Sequence, residues 1–244
     1  TDETAAVAEA AGARVIRQSN GGPASARNTG IRAATTEWVV LLDADDLARP
    51  SRLAQQAARL GNDQVAVVFG GYHVEGKVPP AAPTEITFDA LWTRNWIPTS
   101  TVVLRRAAWE AVGGFDEARD LIGVEDYNLW LRLAHAGWGF NRVDEILVDY
   151  RPTPASLTAQ TRRFAAAELA NARKIALTLG LAPSALRAKE FAIYKEYGFE
   201  LFHVRDLSAS REFLHEAARR GPIGWGGQLR RLATYLPLPP RDRG

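Results

Sequence analysis

An apolar run that ends in a knot of acids constrains this chain most. Trp38-Val39-Val40-Leu41-Leu42 reads as a buried strand, and Asp43-Ala44-Asp45-Asp46 follows at once. Acids clustered where such a strand ends cannot be core, because unpaired charge is costly to desolvate. They belong at the carboxyl edge of an open α/β sheet, where such sheets bind ligands. A divalent ion held by one or two carboxylates and a substrate diphosphate suits that position.

The surrounding pattern supports an α/β reading. Helix-forming composition covers Thr4 to Ala11, with Thr1 or Asp2 as its cap. Arg14 to Arg17 is a short strand candidate. Pro23 suits the first turn of a helix to about Ala34, and Glu37 to Asp43 is the buried strand. Asp46 or Ser51 is placed to cap a helix through Leu60. Val65 to Tyr72 is a second buried strand and Thr101 to Leu104 a third. A helix over Ala107 to Val112 stops at Gly113-Gly114. Over Asp126 to Ala136, Tyr127, Trp130, Leu131 and Ala134 share one helical face. Ile146 to Tyr150 is the last strand; helices near Arg162 to Leu179, Ser184 to Phe202 and Ser208 to Arg219 complete the chain. This order predicts a mainly parallel sheet flanked by helices over residues 1–158, with a helical extension over 159–244. The Asp43 strand would be central and needs neighbours on both sides.

Composition excludes more than it suggests. The chain has 244 residues, room for one large domain or one domain with a helical appendage. No window approaches the roughly 18 apolar residues of a membrane span, and no secretory pattern opens the chain. With no cysteine, disulfides and thiolate metal sites are ruled out. A net charge of +2 gives no global attraction for nucleic acid, so none is expected as a partner. The chain has no Met and begins at Thr1, so a processed, truncated or partly recorded chain is expected. Arg outnumbers Lys and Ala is abundant, which hints at a GC-rich bacterial genome.

Four segments in order carry a family resemblance: Asn20-Gly21-Gly22-Pro23-Ala24-Ser25-Ala26-Arg27-Asn28-Thr29-Gly30; Leu41-Leu42-Asp43-Ala44-Asp45-Asp46; Val112-Gly113-Gly114-Phe115-Asp116 with Glu125-Asp126-Tyr127-Asn128-Leu129-Trp130-Leu131-Arg132; and Tyr150-Arg151 with Ser156-Leu157-Thr158. Together they resemble glycosyltransferase family 2, inverting sugar transferases of the GT-A fold. The resemblance covers roughly residues 1–158. Family members open with a strand, a helix and a second strand ending in Asp-Asp-Gly-Ser, and Thr1-Asp2 look like the continuation of that motif. The resemblance thus implies a chain lacking its first βαβ portion.

It also implies roles. Asp43 and Asp45 match the DxD motif, with Asp45 the ligand of Mg²⁺ or Mn²⁺ and Asp43 beside the ribose or the metal's waters. Asp126, in the pair Glu125-Asp126, matches the general base that takes the acceptor's proton. Asn20 and Arg27 would face the nucleotide, with Arg27 pairing a phosphate or Asp43; Asn28 is expected to bond backbone. Arg151 and Ser156 would lie on a loop closing over the diphosphate. Many members carry His two residues after that Arg; Thr153 stands there, which removes a His contact. Thr99 and Ser100 are candidates for the acceptor side, and Trp92, Trp96 and Trp109 for stacking on sugar rings. The ordinary alternatives are helix-capping aspartates before Pro50, an acidic pair opening an amphipathic helix, a structural Arg27 salt bridge and buried aromatics. For Asp126 the helix dipole favours the ionised form, burial beside Glu125 the protonated one.

The implied reaction moves sugar from a nucleotide sugar, a UDP sugar first, to a hydroxyl of a carbohydrate or lipid-linked acceptor, in the cytoplasm or at the inner face of the membrane. A sugar-1-phosphate nucleotidyltransferase and a non-catalytic module of the same fold stay open. The tail interleaves Arg219, Arg220, Arg230, Arg231, Arg241 and Arg243 with Ile223, Trp225, Leu229, Leu232, Tyr235 and Leu236. That pattern serves equally as a helix touching anionic lipid or as one packed on the catalytic domain.

Overall fold

A computed structural model of the chain describes residues 3–151 and 161–235. The elements run α1 Thr4–Ala10, α2 Gly22–Ala33, β1 Trp38–Val40, β2 Leu47–Ala48, α3 Arg52–Ala57, β3 Val65–Val74, α4 Phe88–Thr93, β4 Val103–Arg105, α5 Arg106–Ala111, α6 Glu125–His135 and β5 Gly139–Tyr150. Four helices follow: α7 Thr161–Thr178, α8 Pro183–His203, α9 Leu207–Arg220 and α10 Gly224–Ala233. Local chemistry marks several starts. Pro23 occupies the first turn of α2. Thr87 caps α4 and Asp206 caps α9, each accepting a backbone N–H at 3.1 Å.

The sheet has the order β1-β4-β3-β5-β2. It is mixed, not mainly parallel: β3 and β5 pair in parallel, while β1–β4, β3–β4 and β2–β5 are antiparallel. The alternation of helix and strand correctly made β1 and β3 co-directional. What it missed is β4, inserted between them in reverse after the chain turns through a short 3₁₀ helix at Thr99–Thr101. A second correction concerns β1, which is an edge strand among the described residues, paired to β4 alone. Val40 and Leu42 are accordingly exposed, where a buried strand was expected. The expected strand at Arg14 to Arg17 pairs with nothing described and is irregular and largely exposed.

One core face packs Ala66, Val67 and Phe69 of β3 against Leu129, Trp130, Leu131 and Leu133 of α6. The other gathers Val65, Val68, Val103, Val143, Leu147 and Val148. The helical portion has its own cluster from α7, α8 and α9, including Ala165, Ile193, Leu201 and Phe213. α7 joins the two, since Ala167 and Ile175 belong to the sheet-side cluster. Lys189 of α8 adds a polar link: buried, it donates to Thr93 O at 3.0 Å and to the Tyr127 hydroxyl at 3.1 Å. The Tyr127 hydroxyl donates to Leu91 O at 2.5 Å.

Candidate functional site

The acidic loop after β1 is held from three directions. Leu41 N–H bonds Val102 O at 3.0 Å, which continues the β1–β4 ladder toward Asp43. Asp43 N–H donates to Ser100 Oγ at 3.0 Å. Asp46 turns inward: its N–H bonds Asp43 O at 3.1 Å, and its carboxylate accepts the N–H of Arg151 at 3.0 Å. The Arg151 side chain donates to Asp45 O at 2.6 Å. Thus Arg151, just past β5, buttresses the loop's backbone. Asp46, expected to cap a helix, caps Arg151 instead, and burial raises its carboxyl above the usual carboxylate range. Behind the loop, buried Arg52 donates to Leu41 O at 2.9 Å, and its neighbour Gln56 donates to Val68 O and Thr101 O, both at 2.8 Å. These two residues, which nothing in the sequence pattern singles out, tie β1, β3 and the Thr99–Thr101 turn together.

Arg27, on α2, reaches the loop from the other side. Its Nη2 lies 2.7 Å from Asp43 Oδ1, and its Nη1 pairs with Glu125. Burial opposes the charge, but Asp43 and Glu125 outweigh that and hold the guanidinium more firmly protonated than usual. Glu125 also accepts Gly123 N–H at 2.6 Å. The approach of α6 is fixed by Arg132, which donates to Val112 O at 2.5 Å and Gly114 O at 2.6 Å. Gly114 has φ +77°, and a Cβ there would lie 2.9 Å from the Trp109 ring, so the position demands glycine. Asn28 bonds backbone as expected: Nδ2 donates to Phe115 O and Oδ1 accepts Phe115 N–H, both at 2.9 Å.

Asp126 opens α6 beside Glu125 and is 9% exposed. Its Oδ2 accepts the Thr99 hydroxyl at 2.6 Å, and its Oδ1 accepts Tyr127 N–H at 2.5 Å. Asn95 Nδ2 stands 3.5 Å from both oxygens. Burial, with the charge of Glu125, pushes the carboxyl up to about 6; the Thr99 bond and Arg27 pull the other way. Burial is the largest of these influences and leaves the carboxyl above its ordinary value. Thr99 and Ser100 are adjacent, so one turn touches both the Asp126 carboxylate and the Asp43 backbone.

The structure brings Arg27, Asp43, Glu125 and Asp126 into one polar chain, with Asp45 and Arg151 adjoining it. Asn20 does not join: its Oδ1 accepts Gly22 N–H at 3.1 Å, a local bond at the start of α2. Ser156 and Thr153 lie outside the described residues. Trp109 is buried and donates to Asn28 at 3.1 Å, Trp96 donates to Ala90 O at 3.1 Å, and Trp92 stacks on Phe88. A groove of about 650 Å³ runs between α2 and β1, with Arg27, Leu41 and Asp43 among its walls.

Among the described residues no three His, Cys, Asp or Glu side chains form a metal cage. The donor set fits a hard cation of another kind, one that takes a carboxylate or two and completes its shell with phosphate oxygens and water. Asp46 is buried and engaged by Arg151 N–H, while Asp45 is exposed. Asp43, part-exposed, shares its charge with Arg27.

Residues 1–115 match the family model described as Glycosyl transferase family 2. An uncharacterized glycosyltransferase of Mycobacterium bovis, Mb0553, is 32% identical over 161 residues, 62% of this chain and 70% of the relative. The Escherichia coli protein WfgD, a UDP-Glc:alpha-D-GlcNAc-diphosphoundecaprenol beta-1,3-glucosyltransferase, is 29% identical over 118 residues, 46% of this chain and 44% of that one. Several curated relatives are matched over half of their length or less. Among solved structures, mannosyltransferase PcManGT from Pyrobaculum calidifontis, in complex with GDP-Man and Mn²⁺, aligns with a TM-score of 0.57 at 21% identity. That alignment covers 96% of this chain and 68% of the other.

Proposed function

The chain belongs to glycosyl transferase family 2, and from that premise we propose that it transfers a sugar, with inversion, from a nucleoside diphosphate sugar to a hydroxyl acceptor. The observation that carries the proposal is the Asp43–Arg27–Glu125 ion-pair chain, with Asp126 next to Glu125 and bonded to Thr99, whose neighbour Ser100 holds the Asp43 backbone. It sets a buried, proton-accepting carboxylate beside an exposed acidic loop suited to a diphosphate and its cation.

In this reading Asp126 accepts the proton of the acceptor hydroxyl as its oxygen attacks the anomeric carbon. The bond from that carbon to the diphosphate breaks on the opposite face, and the nucleoside diphosphate leaves with the electron pair. Thr99 orients Asp126 and leaves it able to gain a proton near neutral pH. Arg27 keeps Glu125 charge-neutralised, so that two adjacent acids can share one buried site. Asp45, with Asp43, would hold Mg²⁺ or Mn²⁺, which when bound stabilises negative charge growing on the diphosphate. Arg151 fixes the backbone at Asp45. Asn20, at the mouth of α2, and Ser156, outside the described residues, are assigned to donor contact.

Two similarities support the finer assignments. WfgD carries a UDP sugar and a lipid-linked acceptor in its name, and PcManGT was solved in complex with GDP-Man and Mn²⁺. A UDP-linked donor and a polysaccharide or glycolipid product are proposed on the first of these, and a divalent cation on the second. The test is turnover of a UDP-sugar panel with Mn²⁺ by the gene's complete product. Release of UDP that Asp126→Asn abolishes supports the proposal. Consumption of sugar-1-phosphate and nucleoside triphosphate instead, or silence from a well-folded protein, overturns it.

A further inference from the structure

We propose that α10 lies in the surface of an anionic lipid bilayer with its apolar stripe facing the lipid. The proposal stands apart from the sugar-transfer reading and uses none of its residues.

The helix is amphipathic but sits on the protein the reverse way round. Trp225, Leu229 and Leu232 recur at helical spacing and form one stripe. They are 87%, 63% and 61% exposed, and Tyr235, just past the helix end, is also exposed. The residues turned toward α8 and α9 are Ile223, Gly227 and Thr234, all buried. Thr234 is held there by Arg211, which donates to its carbonyl at 2.5 Å. Proteins in water commonly leave apolar residues exposed singly; a whole helical stripe, rimmed by polar groups, marks an interaction surface.

Charge identifies the occupant. No acid occurs from Ala217 to Arg241. Arg219 and Arg220 are answered by Glu216, and Arg220 also by Glu190. Arg230 and Arg231, both half-buried, stand between Leu229 and Leu232 in the sequence. Arg230 lies over the Phe199 ring at 4.8 Å. An aromatic-bearing apolar face within an acid-free, arginine-rich stretch matches the headgroup layer of an anionic bilayer, where Trp and Tyr rings settle and basic residues are drawn to anionic lipid. Ten residues are too short to cross the membrane, and no described helix is long and apolar enough to do so. A second copy of the chain is the poorer partner, because a two-fold contact through this patch would bring the same arginines together.

The test is flotation of the purified protein with vesicles of phosphatidylcholine alone and of phosphatidylcholine mixed with phosphatidylglycerol. Recovery with the anionic vesicles, weakened by salt, is expected. Trp225→Ser/Leu229→Ser/Leu232→Ser should lower that recovery by about tenfold, with thermal unfolding unchanged because the three side chains are exposed. Arg230→Gln/Arg231→Gln should erase the preference for anionic vesicles. Brominated lipid should quench wild-type fluorescence more than that of Trp225→Phe. Equal flotation of wild type and the triple serine variant overturns the proposal. So does failure of the wild type to float, whether or not light scattering then finds a dimer that the serine variant dissolves.

Discussion

The hydroxyl of Thr99 lies 2.6 Å from Oδ2 of Asp126, and that bond tempers what burial does to the carboxyl. The proposed base works only when ionised, so kcat/KM should climb as pH rises through about 6. Thr99→Val removes a donor to the ionised form, so its acidic limb should sit at higher pH than that of the wild type. Asp126→Asn should lower kcat by about 10²- to 10⁴-fold and leave donor binding near normal. Steady-state rates between roughly pH 5 and pH 9 would reveal both.

The same carboxyl makes stability depend on pH. Its folded value is raised from the ordinary 3.8 to about 6, so the folded state holds the proton more tightly than the unfolded one. That contribution is fully present below 3.8 and is lost as pH rises through about 6. The gap corresponds to roughly 3 kcal/mol. Asp126→Asn does not titrate, so its stability relative to wild type should improve from acid to mildly alkaline pH. Urea melts at either side of the window test this, and a constant difference would contradict it.

Arg27 neutralises Glu125 in a place where water reaches neither side chain well. Arg27→Ala leaves that acid unpaired and should cost about 3–5 kcal/mol. Adding Glu125→Gln should return part of the loss, because the stranded charge is gone. A double-mutant cycle by chemical denaturation reads the coupling, expected at about 0.5–3 kcal/mol. Strict additivity would mean that the two residues do not depend on each other.

Neighbouring aspartates should separate cleanly. Asp45 is exposed, so Asp45→Asn should change stability by no more than about 0.5 kcal/mol while abolishing the response of turnover to Mn²⁺. Asp46 is buried and accepts the Arg151 N–H. Asp46→Ala should cost about 1–3 kcal/mol. Melting curves beside Mn²⁺ titrations distinguish the two; a melting shift in Asp45→Asn would assign it a structural role.

The helix at α6 was legible from its periodicity, and Tyr127, Trp130 and Leu131 are buried as expected, but Asn128, Leu129 and Leu133 on its other sides are buried too, so the helix is enclosed rather than one-faced. Strand surroundings were not legible. Five consecutive apolar residues before Asp43 imply burial on both sides, yet β1 has one described neighbour and Val40 is half exposed. A three-residue strand such as β4 carries no mark of its direction; the turn at Thr99–Thr101 sets it. At the site, the acids announced themselves by clustering and by family motif, and Arg27 was matched in advance to Asp43. Its second partner, Glu125, is 98 residues away, beyond any local pattern. Thr99 and Ser100 were placed on the acceptor side, but single hydroxyls give no hint of which acid they bond. For α10 the amphipathic wheel was plain, while which face meets the protein depends on α8 and α9.

One helix, α8, links the candidate site to α10. Lys189, which grips the residue next to Asp126, and Phe199, which lies under Arg230, are ten positions apart on α8 and so stand about 15 Å apart along its axis. If α10 rests on a bilayer as proposed, a rigid helix rather than a tether would hold the cleft at a fixed distance from it. An acceptor rooted in that bilayer would have to present its hydroxyl at that distance, so the length of its anchor, as well as the shape of its sugar, would govern which substrates react.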